Sequence, residues 1–190
     1  ASDVTVSATF AKENKIPFTD VQSGAWYYDA VQMCAKAGIV AGYPGGSFEP
    51  DQAVTRAEFF KMVAMLYSDT LNTPITGGIF NDINGHWAEK YIERAATLGW
   101  IAGYSDGTFR PGNYITRAEA MTMINRVLCR MPQSEDDLLN DMTVWPDNKP
   151  SDWHYLAVQE ATNSHDFDRK GEVNEKWTKL TKAPDWTRYQ

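Results

Sequence analysis

The chain has 190 residues, of which 43% are hydrophobic and 23% are charged, and this composition is typical of one or two folded globular domains. The formal net charge of −7 argues against a nucleic-acid partner, because proteins that bind phosphate backbones usually carry a basic surface. No apolar run reaches the roughly 20 residues of a membrane helix, and the start, ASDVTVSATF, lacks the features of a signal peptide. Two cysteines, Cys34 and Cys129, are too few for a disulfide scaffold and lack the spacing of a zinc site.

Residues 1–17 precede any repeated pattern, and we expect an extended N-terminal arm or a chain edge there. Beyond them the chain repeats itself: residues 26–66 align with residues 87–127 without a gap, and 14 of the 41 aligned positions are identical. Such internal similarity predicts tandem structural units. The shared positions are a Trp, a Gly, an Ala-Gly-Tyr, a Phe, a Pro and the four residues Thr-Arg-Ala-Glu.

Each copy is predicted to form two helices joined by a turn. In the first copy, Tyr27, Val31 and Cys34 recur at helical spacing, and Gly38 is expected to end that helix. Cys34 is therefore interpreted as a small buried side chain rather than a disulfide partner. YPGGSF and its counterpart YSDGTF carry the glycines of a tight turn. The second helix of each copy follows Thr-Arg-Ala-Glu.

A third, partial copy begins at Trp145–Asp147 and continues through Trp153 and Ala157–Gln159. Neither the Gly-Tyr turn nor Thr-Arg-Ala-Glu follows, and Lys176–Trp186 is predicted to be an accessory helix with a tail. A pair of short helices buries little surface alone, so we expect the three copies to share one core. The predicted boundaries are 18–79 for the first repeat, 80–144 for the second with an acidic linker, and 145–190 for the divergent third repeat with its tail.

Thr-Arg-Ala-Glu has the form of a capping box, in which Thr55 and Glu58, like Thr116 and Glu119, bond to each other's main-chain N–H groups. Arg56 and Arg117 need another explanation, because a cation at the first position of a helix faces the positive end of the helix dipole. Three interpretations remain open. The arginine and the free helix amides bind an anion, the arginine pairs with a nearby aspartate of the chain, or it is simply solvated.

Aromatic and acidic residues recur at fixed places in the copies. A tryptophan stands at the start of the first helix of each copy, where it either packs between repeats or stacks on a sugar ring. An aspartate stands two positions after an aromatic residue, where it either caps a turn or accepts hydrogen bonds from sugar hydroxyls. These residues are Trp26, Trp87 and Trp153, and Asp20, Asp82 and Asp147.

Catalysis finds little support in the sequence. Glu58 and Glu119 are a conceivable carboxylate pair for a glycosidase, but both are expected to be engaged in capping boxes. No nucleophile, phosphate-loop or metal motif occurs, and His86, His154 and His165 are scattered. We therefore expect no catalytic residue, no metal and no cofactor.

The two full copies resemble S-layer homology repeats, through their Phe-x-Asp, Trp, G-x-x-x-G-Y-x-x-G-x-F-x-P and Thr-Arg-Ala-Glu elements. This resemblance implies an all-α fold, in which three repeats form a pseudo-trimer around a shared three-helix bundle with ligand grooves between adjacent repeats. It also implies an extracellular module, associated with the cell wall or the surface layer, that anchors an exported protein non-covalently to the bacterial wall. The implied ligand is an anionic secondary cell-wall polysaccharide that often carries a pyruvate ketal.

The resemblance assigns ligand-binding roles only where the motifs match. It implies binding by the arginines of Thr-Arg-Ala-Glu, the tryptophans and the Gly-Tyr pairs, namely Arg56, Arg117, Trp26, Trp87, Gly42, Tyr43, Gly103 and Tyr104. In the third copy only Trp145–Asp147 and Trp153 match, and Arg169 or Lys170 is either a substitute cation or part of an exposed charged turn. Alternative functions are a self-assembly module of a surface lattice and, less favoured by the motifs, a glycan-processing enzyme.

Overall fold

The structure is a computed structural model that describes Ile16 and residues 18–67, 74–75 and 77–183. Apart from Ile16, the predicted N-terminal arm lies outside the described residues, as does the tail after residue 183. The chain divides into two compact units, Ala1–Gln52 and Ala53–Gln190, which we describe one at a time. None of the described helices has the length and apolar character needed to cross a membrane.

The first unit contains helix α1, Tyr28–Lys36, followed by a tight turn. The helix ends as predicted at Gly38, whose φ of 71° is readily adopted by a residue without a Cβ atom. The turn closes when the Tyr43 amide donates to the Ser47 carbonyl at 2.7 Å. Asp20 then accepts hydrogen bonds from the amides of Phe48 and Glu49, at 2.8 and 2.7 Å. One carboxylate thus ties the beginning of the repeat to its turn.

The second unit contains four α-helices: α2 (Arg56–Leu66), α3 (Glu89–Thr97), α4 (Arg117–Val127) and α5 (Tyr155–Thr162). Both predicted capping boxes are present: the Thr55 hydroxyl accepts from the Glu58 amide at the start of α2, and Thr116 and Glu119 repeat the arrangement at α4. The threonine amides in turn donate to the glutamate carboxylates, and each helix begins where the sequence predicts.

Main-chain hydrogen bonds join the start of α2 to the segment that precedes α4. The Arg56 amide donates to the Asn113 carbonyl at 2.8 Å, and the Ala57 amide donates to the Pro111 carbonyl at 3.0 Å. Thr55 and Tyr114 form an antiparallel bridge beside them. Below these contacts, α2, α3 and α4 enclose a core in which Phe109 and Ile92 are fully buried. The two copies therefore share apolar packing and polar main-chain contacts.

The prediction of an all-α fold is wrong. The described residues contain five α-helices and a mixed three-stranded sheet in the order β1-β3-β2, made of β1 (Met131–Pro132), β2 (His165–Lys170) and β3 (Asn174–Leu180). Strands β2 and β3 form an antiparallel hairpin, and β1 pairs with β3 in parallel. By the spacing of the two full copies, the hairpin occupies the part of the chain where a third Gly-Tyr turn would lie. The accessory helix predicted from Lys176 is also wrong, since Lys176–Leu180 belongs to β3.

The sequence of this segment explains why a strand pair forms. Residues of β3 alternate between buried and exposed, and the two buried side chains, Glu175 and Trp177, lie on the same face of the strand. Gly171, with a φ of 75°, lies in the turn between the strands. His165–Leu180 contains no Ser/Thr-x-x-Glu/Gln pattern, so the start signal of α2 and α4 is missing from this segment. The division of the chain into three repeats stays a prediction.

Candidate binding cleft

A cleft of about 1030 Å³ opens in the second unit. It is lined by the first turn of α2, by residues 100–105 after α3, by one side of α4, and by Trp153 and His154 ahead of α5. We call it the Arg56 cleft. It therefore draws its walls from all three copies of the repeated sequence.

Arg56 lies at the wall of this cleft and is itself only 4% exposed. Its Nη1 is 2.6 Å from Glu119 Oε1, and its Nε donates to the Phe109 carbonyl at 2.9 Å. The guanidinium carbon lies 4.6 Å from the Phe109 ring centre and 5.0 Å from that of Tyr104. The second terminal nitrogen, Nη2, has no ion pair or hydrogen bond to any residue the structure describes. Arg56 is therefore an internal strut with one donor group remaining.

Glu119 serves both the α4 capping box and the cleft. Its Oε2 accepts from the Thr116 amide, while its Oε1 accepts from Arg56 and from the Tyr104 hydroxyl at 2.8 Å. Burial alone would raise the pKa of Glu119, but the Thr116 amide, the Tyr104 hydroxyl and Arg56 outweigh it and hold the pKa below its ordinary value. Burial and the bond to Glu119 raise the pKa of Tyr104. An ionised carboxylate therefore fixes two groups of the cleft wall.

The two repeated arginines have different surroundings. Arg117 is exposed and has no ion pair within the described part of the chain, because the third copy supplies no glutamate equivalent to Glu119. The expected free amides also differ: those of Arg56 and Ala57 are already bonded, whereas those of Arg117 and Ala118 have no acceptor among residues 18–67 and 77–183. The internal ion pair considered for these arginines exists at one of them, with a glutamate in place of an aspartate.

The three repeated tryptophans are exposed side chains rather than core residues. Trp26 is 66% exposed, Trp87 is 58% exposed and Trp153 is 70% exposed. Trp153 lines the Arg56 cleft. Its ring meets that of His154 edge to face, with 5.1 Å between the ring centres. This position leaves ring surface of Trp153 accessible beside Tyr104 and Arg56, as an aromatic platform for a sugar requires.

Comparison with known proteins identifies the repeated units. Residues 17–60 and 79–121 match the S-layer homology domain. The chain carries two S-layer homology domains. The third, hairpin-containing segment lies outside both matched ranges, in agreement with its loss of the Thr-Arg-Ala-Glu element.

Several relatives cover most of this chain. It is 34% identical over 181 residues to cell surface glycoprotein 1 of Acetivibrio thermocellus, and 36% identical over 160 residues to the cellulosome-anchoring protein of the same organism. These alignments cover 90% and 82% of the chain but only 8% and 34% of the relatives. An amylopullulanase of Thermoanaerobacterium thermosulfurigenes is 32% identical over 146 residues, which is 76% of this chain and 8% of that enzyme. The chain thus matches a minor part of each of these proteins.

The repeated aspartates act within each S-layer homology domain as clamps on the turn. Asp82 accepts from the amides of Phe109 and Arg110 at 2.8 and 2.7 Å, as Asp20 does from Phe48 and Glu49. Glu49 and Arg110 both have a φ of 60°, unusual for a residue with a side chain, and the clamp stabilises that conformation. The Phe48 amide lowers the pKa of Asp20. Asp147 is exposed.

The Gly-Tyr pairs combine a packing role with a polar one. A Cβ on Gly103 would collide with Phe80 Cε1 and lie 2.6 Å from the Thr108 carbonyl oxygen, and Gly42 meets Phe18 and Ser47 in the same way. The glycine therefore lets the phenylalanine of Phe-x-Asp pack on the turn. Tyr104 contributes its hydroxyl to the Arg56 cleft, whereas Tyr43 belongs to the first unit.

The two substitute cations considered for the third copy contact other parts of the chain. Lys170 Nζ lies 2.9 Å from both carboxylate oxygens of Asp137. Arg169 donates to the Cys129 carbonyl and lies 5.1 Å from the ring centre of Phe167. The hairpin therefore contributes neither cation to the Arg56 cleft. Cys34 and Cys129 are half-buried free thiols.

A buried polar cluster that the sequence did not reveal joins the hairpin to α5. His165 Nε2 lies 2.9 Å from Glu175 Oε1, and the His165 ring stacks on Trp177 with 4.0 Å between ring centres. Trp177 Nε1 donates to Glu160 Oε2 at 2.8 Å. Glu160, His165 and Glu175 approach one another as metal ligands do, but Arg130 already lies 3.0 Å from both His165 Nε2 and Glu160 Oε1. A guanidinium thus supplies the positive charge that a metal ion would bring.

Proposed function

We propose that this chain anchors an exported protein non-covalently at the bacterial cell surface by binding an anionic wall polysaccharide in the Arg56 cleft. The observation that carries the proposal is the cleft itself, which is lined both by an arginine that Glu119 holds in place and by the exposed ring of Trp153. The rigid guanidinium suits a carboxylate, and the aromatic ring suits the apolar face of a sugar. The names of relatives, a cell surface glycoprotein and a cellulosome-anchoring protein, support a role at the cell surface.

We further propose that the anionic group is a carboxylate such as a pyruvate ketal. Arg56 retains an unpaired Nη2, and the first two amides of α4 lack acceptors within the described residues, so donors for a small anion remain in and beside the cleft. Because Tyr104 and Glu119 already hold Arg56 in place, little side-chain entropy is lost when the ligand binds.

The proposed role is binding rather than catalysis. The amylopullulanase relative shares 8% of its length with this chain, which supports a module attached to proteins of different activities. In the second unit, Glu119 is engaged by Arg56, Tyr104 and Thr116, so it is unsuited to serve as a free general acid or base.

Sedimentation with purified bacterial cell walls tests this function. We expect the protein to bind native walls and to lose binding after chemical extraction of the wall polysaccharide. Removal of the pyruvate groups alone should weaken binding to a similar degree. Unchanged binding to extracted walls would contradict polysaccharide anchoring. Concentration-dependent pelleting without any walls would instead favour the self-assembly module.

A further inference from the structure

The net charge of the Arg56 cleft depends on a residue outside the repeated motifs. The charged side chains along its wall are Arg56, Glu119 and Arg126. Arg56 and Glu119 form an ion pair and compensate each other's charge. Arg126 has no ion pair or hydrogen bond of its side chain to any described residue. The cleft is therefore positive because of Arg126, in a chain whose overall formal charge is −7.

The helix dipole explains a cation at the end of α4 but does not explain why Arg126 is half-buried along the cleft. Arg126 lies in the last turn of α4, where a cation interacts favourably with the negative end of the helix dipole. That interaction needs no cleft, yet Arg126 is half-buried along this wall. The equivalent residue of the first copy is Met65, so the charge is specific to the second S-layer homology domain.

His154 follows Trp153 in the lining of the cleft but adds no accessible contact through Nδ1. That atom is buried and makes no hydrogen bond within the described residues, and without exposed surface it cannot reach a ligand in the cleft. Arg126 therefore offers the charged contact in the cleft that also contains the exposed ring of Trp153.

We propose that Arg126 is the residue that recognises the negative charge of the bound glycan. Arg56, already neutralised by Glu119, positions the wall and contributes a hydrogen bond. This inference rests on the proposed binding of an anionic polysaccharide and assigns its charge selectivity to one side chain. It predicts that the cleft binds the charged form of a sugar more tightly than the neutral form, because of the Arg126 side chain on α4.

A pair of matched probes isolates this charge recognition. The probes are a methyl glycoside that carries a pyruvate ketal and its methyl ester, which lacks the charge and is larger by one methyl group. Isothermal titration measures the affinity of each probe for the intact chain and for Arg126→Gln. We expect Arg126→Gln to weaken binding of the acid by about tenfold or more, as for loss of a charge-assisted hydrogen bond, and to leave binding of the ester unchanged. Arg126→Lys should retain part of the preference for the acid.

Control variants separate the possible outcomes. Lys90→Gln removes one charge from an exposed position of α3 outside the cleft, and it should leave both affinities unchanged. Equal weakening of acid and ester in Arg126→Gln would overturn the inference, because the residue would then act through shape. An unchanged acid affinity would also overturn it while leaving wall binding intact. If the unmodified chain binds extracted polysaccharide but prefers the ester, charge recognition is overturned, and if it binds neither probe nor polysaccharide, the proposed function fails as well.

Discussion

Arg56 and Glu119 form an ion pair, 2.6 Å from Nη1 to Oε1, that joins the first residue of α2 to the third residue of α4. The same four-residue element supplies the arginine in one S-layer homology domain and the glutamate in the next. Because Glu119 also closes the capping box of α4, Thr116 holds its carboxylate independently of Arg56. An arginine at an unfavourable end of the helix dipole is thereby stabilised by a carboxylate from the neighbouring repeat.

Replacing Arg56 should destabilise the protein far more than replacing Arg117. Arg56→Ala leaves a partly buried carboxylate without its cation, and we expect the free energy of unfolding to fall by about 3 kcal/mol. Arg117→Ala removes an exposed side chain, and its effect should stay within about 0.5 kcal/mol. Urea denaturation followed by tryptophan fluorescence measures both. Equal stabilities of the two variants would show that Arg56 is solvated rather than paired.

Gly103→Ala should destabilise the second domain, because the added Cβ would collide with Phe80 and the Thr108 carbonyl. We expect a loss of about 2 kcal/mol or more, as for an overpacked core. Gly112→Ala is the matched control, since a Cβ at Gly112 meets no heavy atom within 4 Å and the residue needs no positive φ. Thermal unfolding compares the two variants. A similar melting temperature for both would exclude close packing of Phe80 on Gly103.

The buried cluster on the hairpin should make stability depend on pH. Burial acts to lower the pKa of His165, but hydrogen bonds to Glu160 and Glu175 outweigh it and raise the pKa above 6.5. Burial acts to raise the pKa of Glu160, but His165 and Trp177 outweigh it and lower the pKa below 4.5. The histidine contribution is full below pH 6.5 and is lost as pH rises through the folded-state pKa, and the Glu160 contribution is lost as pH falls through its own.

Both contributions are therefore complete only between about pH 4.5 and pH 6.5. We expect the urea midpoint of the intact chain to be highest in that window and to decline on both sides. His165→Gln should remove the fall of the urea midpoint at alkaline pH. The fall at acidic pH should remain, because Arg130 still contacts the two glutamates. An alkaline decline that persists in His165→Gln would assign it to another group.

Trp153→Ala should separate ligand binding from folding. The side chain is 70% exposed and lines the Arg56 cleft, so its loss should change stability by less than about 0.5 kcal/mol. Loss of stacking on a sugar should weaken binding to wall polysaccharide several-fold, in line with about 0.5–1.5 kcal/mol for an aromatic contact. Trp177→Ala, which removes a side chain that is 2% exposed, should unfold the hairpin end of the unit instead. Undiminished wall binding by Trp153→Ala would place the sugar elsewhere.

The sequence predicted those parts of the fold that depend on local chemistry. The capping boxes that start α2 and α4 and the glycine that ends α1 rest on contacts within a few residues, so a motif suffices to locate them. The hairpin could not be predicted, because this segment contains too few apolar residues for their spacing to distinguish a helix from a strand. Its stability comes from long-range contacts, such as those of Glu175 with Arg130 and His165.

Part of the lining of the Arg56 cleft could be predicted from the sequence, but its side-chain contacts could not. The repeat pattern pointed to Arg56, Tyr104 and Trp153, which line one cleft. It could not tell Arg56 from Arg117, because the glutamate that pairs with Arg56 belongs to the Thr-Arg-Ala-Glu of the next copy, and no such element follows Arg117. Arg126 could not be predicted from the repeat pattern, because that pattern contains only the residues that the copies share, and the first copy has a different residue at this position.

The shared carboxylate of Glu119 also determines how the module would respond to mechanical load. Traction on a glycan held at the cleft wall would pass from the Arg56 guanidinium through one carboxylate oxygen into the axis of α4, and through the Arg56 main chain into α2. A non-covalent tether built in this way would distribute tension over two repeats.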